Sequence, residues 1–431
     1  MLGIVSNSTG DRVLGASVFN DTAVMSYQTT MVTSFNVITG SVDWSNTYDF
    51  GNLSNPQDVA FVGGFLFVTG RALLSGTADI FLIKIDPTSG SVVWTNTYTT
   101  PSADDSGMGM IVTPDNNIII AAALQPTTGG RNIEVLKIAP ADGSVVWSKE
   151  ISTDVAMQPK RRSVTVDSSG NVFMAASGVK LVSGTDYAYD AFLIKLDPLG
   201  NLLWVTQIGE GAVANSINET ADSIVCVGSS IYCSIITVNN TLGTMDPAVF
   251  RFETDGTLTW QKSFPFSSFP VFADFGLSYD QFSDLIVCSG VGGDGTIVGA
   301  TVVRIDSTGT VVSGIVSHLS TSDPATSPEY AYDTIVLNAN ELICSGNMLD
   351  TSGSGNPGCL IGRIPFTAVS GTYGTVELAS LSISTVDNTI PVFDPSPTLV
   401  SSDITVTTNP FAVTLAPSPP TADFITQPFD I

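Results

Sequence analysis

One frame returns along this 431-residue chain: an apolar run, a basic residue, a turn and a tryptophan. One copy reads Phe81-Leu-Ile-Lys-Ile-Asp-Pro-Thr-Ser-Gly-Ser-Val-Val-Trp94, and another reads Phe192-Leu-Ile-Lys-Leu-Asp-Pro-Leu-Gly-Asn-Leu-Leu-Trp204. Trp44, Trp147 and Trp260 hold the same place. Register by the basic residue gives Lys84, Lys137, Lys195, Arg251, Arg304 and Arg363, with Ser34 in that place in the first copy, seven copies spaced 50 to 59 residues apart. Such a period marks a repeat architecture, in which each unit can bury its apolar surface only against its neighbours.

A second half precedes each frame, as in Val164-Thr-Val-Asp-Ser-Ser-Gly-Asn-Val-Phe173. Two short alternating runs flank a turn whose Gly or Asn supplies positive φ, the pattern of a hairpin. The frame itself adds a second hairpin, so each copy carries four strands, the content of one propeller blade. The expected fold is all-β: a seven-bladed β-propeller over residues 11–384, with an N-terminal lead at 1–10 and a Pro-rich extended C-terminal arm at 385–431. Composition fits, since 43% of residues are hydrophobic and only 13% charged. Blades that pack face to face bury both sides of their strands, which then become continuous apolar runs such as 118–124. The repeated Trp are expected at the seams between blades.

The fourth copy, from Val164 to Trp204, resembles the β-propeller repeat of many secreted bacterial proteins. The copies ending Gly-Ser-Val-Asp-Trp44 and Gly-Ser-Val-Val-Trp94 resemble the quinoprotein-type blade motif. The resemblance covers about residues 11–384 and fades in the seventh copy, where Gly371-Thr-Tyr-Gly374 replaces the Trp turn. It implies a fold without a reaction, because propellers host enzymes, binders and scaffolds alike. It carries no quinone-binding residues onto this chain.

The net charge is −25, with 15 Lys and Arg against 40 Asp and Glu. Nucleic acid and anionic membrane surfaces are therefore excluded as partners, and no apolar run is long enough to insert in a bilayer. His318 is the one histidine, read as lying in a loop, and no Gly-x-Ser-x-Gly elbow occurs. No catalytic residue, cofactor or metal site is expected. The pair Asp104-Asp105 reads as a solvated loop, Lys160-Arg161-Arg162 as a loop open to a partner contact, and the repeated basic residues as structural pairs of nearby acids. Five Cys do not make a disulfide framework, although Cys226 and Cys233 could bridge one hairpin. Acceptor motifs for N-glycosylation occur at Asn7, Asn20, Asn52, Asn218 and Asn239. No signal peptide opens the sequence as given; the scarcity of Lys and the secreted character of the resembling class point to an extracellular or cell-surface location.

The tail differs from the rest. After Gly374 there is no Gly, after Arg363 no Lys or Arg, and eight of the 23 Pro lie between Pro391 and Pro428. Phe411, Val413, Leu415, Phe424, Ile425 and Phe429 give this arm the apolar side chains to dock on a neighbouring subunit as the connector, with a strap on its own propeller and a disordered linker as the competing readings. The expected function is a non-enzymatic structural subunit of an extracellular filament, tube or sheath, such as a flagellar hair or surface fibre. Its partners would be copies of itself or a closely related propeller. The alternative is a module that binds a glycan or peptide, and the third reading is a carboxylate-dependent enzyme acting on polysaccharide.

Overall fold

The computed structural model describes residues 3–19, 28–74, 76–100, 103–126, 130–152, 156–183, 186–209, 217–239, 244–264, 275–293, 298–319, 329–338, 340–348, 358–365 and 371–373, with six short segments between 376 and 417. All of its elements are strands, in antiparallel sheets arranged as a β-propeller. There are six complete blades, not seven. Blade 1 comprises Gly3–Ser6, Arg12–Phe19, Thr29–Asn36 and Val42–Asp49, so its first strand lies within the residues read as a lead. Blades 2 to 6 begin at Ser54, Ala103, Ala156, Ile217 and Gly276, and their fourth strands are Val92–Thr99, Val145–Ser152, Leu202–Ile208, Leu258–Ser263 and Val311–Leu319.

The seventh repeat forms a three-stranded sheet, Glu329–Asn338, Glu341–Met348 and Gly358–Pro365. It closes the ring. Ser278 of blade 6 hydrogen-bonds Thr334, while Ile343 packs with Ile4, Val13 and Phe35 of blade 1. The residues expected to be its fourth strand go elsewhere: Val376–Ser380 pairs with the fourth strand of blade 6, and Gly371–Tyr373 pairs back on Val376–Leu378. The cause lies in the turn. In the complete repeats an Asp, or Asn36 in blade 1, caps the turn, as when Asp86 Oδ1 accepts the Thr88 and Ser89 N–H at 2.8 and 3.0 Å, and Gly90 supplies φ of 70°. Nothing in Gly371-Thr-Tyr-Gly374 repeats that device.

Further short strands continue outward from the blades. Val386–Asp387 adds to the fourth strand of blade 5, Val392–Phe393 to blade 4, Val400–Asp403 to blade 3, Thr407–Pro410 to blade 2 and Thr414–Pro417 to blade 1. The chain thus travels the rim of the ring in reverse order of the blades. Cores lie between blades: one cluster joins Ile119, Ile133 and Ile151 of blade 3 with Met174, Phe192 and Ile194 of blade 4, and equivalents fill the other four seams from blade 1 to blade 6. Each fully buried Ile, Leu or Phe contributes about 1.5–3 kcal/mol, so these seams hold the ring together.

Candidate functional site

The repeated Trp, and three of the repeated basic residues, bond across seams. Trp44 Nε1 donates to the Pro87 carbonyl in the next blade at 3.0 Å, and Trp94, Trp147, Trp204 and Trp260 repeat the bond to Ala141, Pro198, Thr254 and Ser307. The turn glycine of the receiving blade lies against that ring or the residue beside it. A Cβ at Gly143, whose φ is 75°, would come within 2.2 Å of Asn96 Nδ2 and 2.9 Å of the Trp94 ring. Lys84 Nζ donates to the Pro140 carbonyl at 2.9 Å, Lys195 to Thr254 at 2.7 Å and Arg251 to Ser307 at 2.9 Å. Lys84 and Lys195 also lie over the Phe65 and Phe173 rings. Lys137 and Arg304 instead pair with Asp115 and Asp280 of their own blades, each at 2.8 Å. The acids two positions on, Asp86, Asp197 and Asp306, cap their own turns rather than pairing with these bases. These cations form no ligand ring.

The one basic cluster lies at the axis, not in a loop. In the first strand of blade 4, Ala156–Val166, residues 160–163 all oppose the single residue Ala175, a large bulge in which Arg162 has φ of 54°. Lys160 Nζ meets Asp222 of blade 5 at 3.2 Å. A Cβ on Gly276 of blade 6 would stand 2.3 Å from Arg162 Nη1, and one on Gly109 of blade 3 would stand 3.3 Å from Ser163 N. The bulge therefore reaches three other blades. First strands line a propeller's axis, so the bulge occupies that channel with polar, cationic groups. Around it the inner strands are tied blade to blade: Asp58 accepts the Met110 N–H at 2.7 Å, Asp222 accepts that of Phe275, and Ser223 accepts that of Leu277 at 3.1 Å.

A second cluster is the most perturbed electrostatically. Asp105, expected in a solvated loop, lies in the first strand of blade 3 at 0% exposure beside Glu134, also at 0%. Thr100 donates its N–H to Asp105 Oδ2 at 2.7 Å and its hydroxyl to Glu134 Oε1 at 3.4 Å. Burial raises Glu134 to about 8, with the Asp105 charge adding to the shift. Burial likewise raises Asp105 to about 7, with the Thr100 N–H opposing. Asp79 of blade 2 is also raised by burial, and Asp105 feels its charge. Both raised acids are closed to solvent, beside Thr100. The sequence carried a signal for Glu134 alone, a lone acid inside the apolar run Ile133-Glu-Val-Leu136, and none for Asp105.

The remaining expected residues scatter. Cys226, Cys233 and Cys288 are free thiols, with Cys226 opposite Ile231 and Cys233 opposite Ile224, so no bridge spans that hairpin. His318 lies in a strand, opposite Glu377, not in a loop. Asn52 is exposed in a turn; Asn7 Nδ2 donates to Thr9 and Asp11, and Asn218 Oδ1 accepts the Tyr189 N–H. Asn239 ends a strand, and Asn20 lies outside the described residues. Of the arm residues, Leu415 is opposite Tyr48, while Phe411, Val413, Phe424, Ile425 and Phe429 lie outside the described residues. Among the described residues, no group of three or more His, Cys, Asp or Glu could hold a metal ion, and no helix is long and apolar enough to cross a membrane.

A family model described as outer membrane protein assembly factor BamB matches residues 28–264, which is 237 of 431 residues and more than half the chain. The chain belongs to this family. The BamB-type match begins in the third strand of blade 1 and ends with blade 5, the part in which the Trp lock repeats. No curated protein matches. A crystal structure of a protein of unknown function from Dyadobacter fermentans DSM 18053 is similar at 9% identity and a TM-score of 0.46, over 84% of this chain and 93% of that one.

Proposed function

We propose that this protein is a non-enzymatic structural subunit of an extracellular surface filament, tube or sheath, a propeller whose rim is fastened by its own C-terminal arm. One observation carries the reading: a single segment, Val376 to Pro417, pairs in turn with the fourth strands of six blades. Such a belt resists separation of blades, as a load-bearing subunit requires. It also covers edges that would otherwise invite indiscriminate strand pairing. Because these strands serve their own blades, contacts with copies of the chain, or with a closely related propeller, are assigned to the propeller faces rather than to residues 376–417. The family description, an assembly factor, agrees with a role without a reaction.

The cationic bulge at residues 160–163 favours a second reading, a module that holds an anionic glycan or peptide near the axis. Electron microscopy of the purified chain over a concentration series separates the two. Ordered filaments or sheets that grow with the concentration of the intact chain are expected. Isolated propellers at every concentration, together with saturable binding of an acidic glycan that Arg162→Ala abolishes, would overturn the structural reading.

A further inference from the structure

One exposed position recurs with apolar side chains. It is the residue just before the repeat Trp, second in the fourth strand of its blade, and Val93, Val146 and Leu203 hold it in blades 2, 3 and 4, each about half exposed. Val312 of blade 6 has the same place and the same exposure, since Ser313 stands opposite Arg304 as Trp94 does opposite Lys84. In blades 1 and 5 Asp43 and Thr259 stand there, so the place accepts polar residues. Valine favours strands whatever it faces, but Ile38 and Leu199 lie in turns and are exposed at 77% and 68%, and Phe282 is exposed in another turn. Among the described residues these seven are all the large apolar side chains that are exposed.

All seven lie at one end of the propeller. In an antiparallel blade the turn between strands one and two and the turn between strands three and four share an end, and the Trp bonds hold neighbouring blades together at that end. At the seam of blades 3 and 4, Val146 precedes Trp147, whose bond ends on Pro198, and Leu199 follows Pro198. Apolar groups gathered in this way and rimmed by polar ones mark an interaction site. The polar rim is acidic. Asp86, Asp142, Asp197 and Asp306 cap the turns of the same four blades, and the Ser89 and Ser144 N–H hold Asp86 and Asp142 below the usual carboxylate range, so both stay charged. The repeat-position cations at this end are already bonded to turns or to acids. A second copy is a poor match, because its own like face would set carboxylates against carboxylates and its whole sequence has 15 Lys and Arg against 40 acids.

We infer that this end of the propeller docks a different protein chain, a basic partner that sets Lys or Arg side chains between apolar ones. The apolar residues before the Trp positions bury against the partner's apolar groups, while the turn carboxylates of the same blades receive its cations. The inference goes beyond the structural role proposed above and stands whether or not copies of the chain form filaments.

Titration calorimetry at physiological salt tests it, with a synthetic peptide of alternating Lys and Leu as the probe and a peptide with Ser in place of every Leu as its control. The proteins are the intact chain and a full-length variant carrying Val93→Ser, Val146→Ser, Leu203→Ser and Val312→Ser, which keeps every charge. The Lys-Leu peptide should bind the intact chain saturably, and about tenfold or more weaker binding is expected both for the variant and for the Ser peptide. Hydroxyl-radical footprinting of the intact chain needs no substitution, and bound Lys-Leu peptide should remove the labelling of Leu199, Leu203 and Phe282. Equal affinity of the two chains for the Lys-Leu peptide, or unchanged labelling at those three residues, would overturn the proposal, because net charge alone would then account for the attraction. So would loss of that labelling when the chain is concentrated by itself, because the occupant would then be a second copy.

Discussion

Five tryptophans and the glycines that receive them define the seams of this ring. Gly143 is the clearest case, since its φ of 75° and the 2.2 Å approach to Asn96 both exclude a side chain. Gly143→Ala should therefore cost about 1–2 kcal/mol for the left-handed backbone alone, more with the clash, and lower the urea midpoint accordingly. An unchanged midpoint would show that the lock is dispensable. Glu134 and Asp105 set a second expectation at this scale. Burial keeps Glu134 protonated up to about 8, whereas the unfolded chain releases that proton near 4.5. Unfolding therefore releases a proton across that window, so rising pH favours the unfolded chain and the penalty is complete above about 8. Urea midpoints of the native protein should fall between pH 5 and pH 9 more steeply than those of Glu134→Gln, and parallel curves would contradict the assignment. The Trp spacing was legible in the sequence because one residue type marks one place. The acid cluster was not, because Asp104-Asp105 reads as polar whether its strand is at the surface or at a seam.

At the scale of elements, hairpin boundaries followed from alternating runs and turn residues, and the first six repeats became blades. Two readings failed for separate reasons, the first being that strand pairing is decided by which edge is free and not by sequence order. Val376–Ser380 took the open edge of blade 6 instead of folding back onto Gly358–Pro365. The basic triplet 160–162 looked like a loop because charge interrupts an apolar run, yet a bulge admits it inside the strand while Val164 returns to register opposite Met174. The tail strands are two to five residues long, too short and too rich in Pro to announce themselves. The spacing of their partners, two residues past the Trp in blades 1, 2, 3 and 5, reveals them as one repeating element.

At the scale of the whole molecule, low charge and high apolar content are accounted for together. The apolar share fills six inter-blade clusters among the described residues, and five repeat-position cations bond the next blade's turn or an acid of their own blade. The ring is asymmetric. Trp locks bind five seams from blade 1 to blade 6, and among the described residues the two seams flanking the seventh repeat have none. The belt spans the same six blades and gives the locked arc a second fastening along its rim. The most direct measurement of this account is hydrogen exchange on the outer strands of the intact chain and of a chain stopped after Thr375. The account predicts that the amides of residues 46–49, 96–99 and 149–152 are protected in the first and lose protection in the second, at every protein concentration, while the inner strands keep theirs. Equal protection of those amides in the two chains would contradict it.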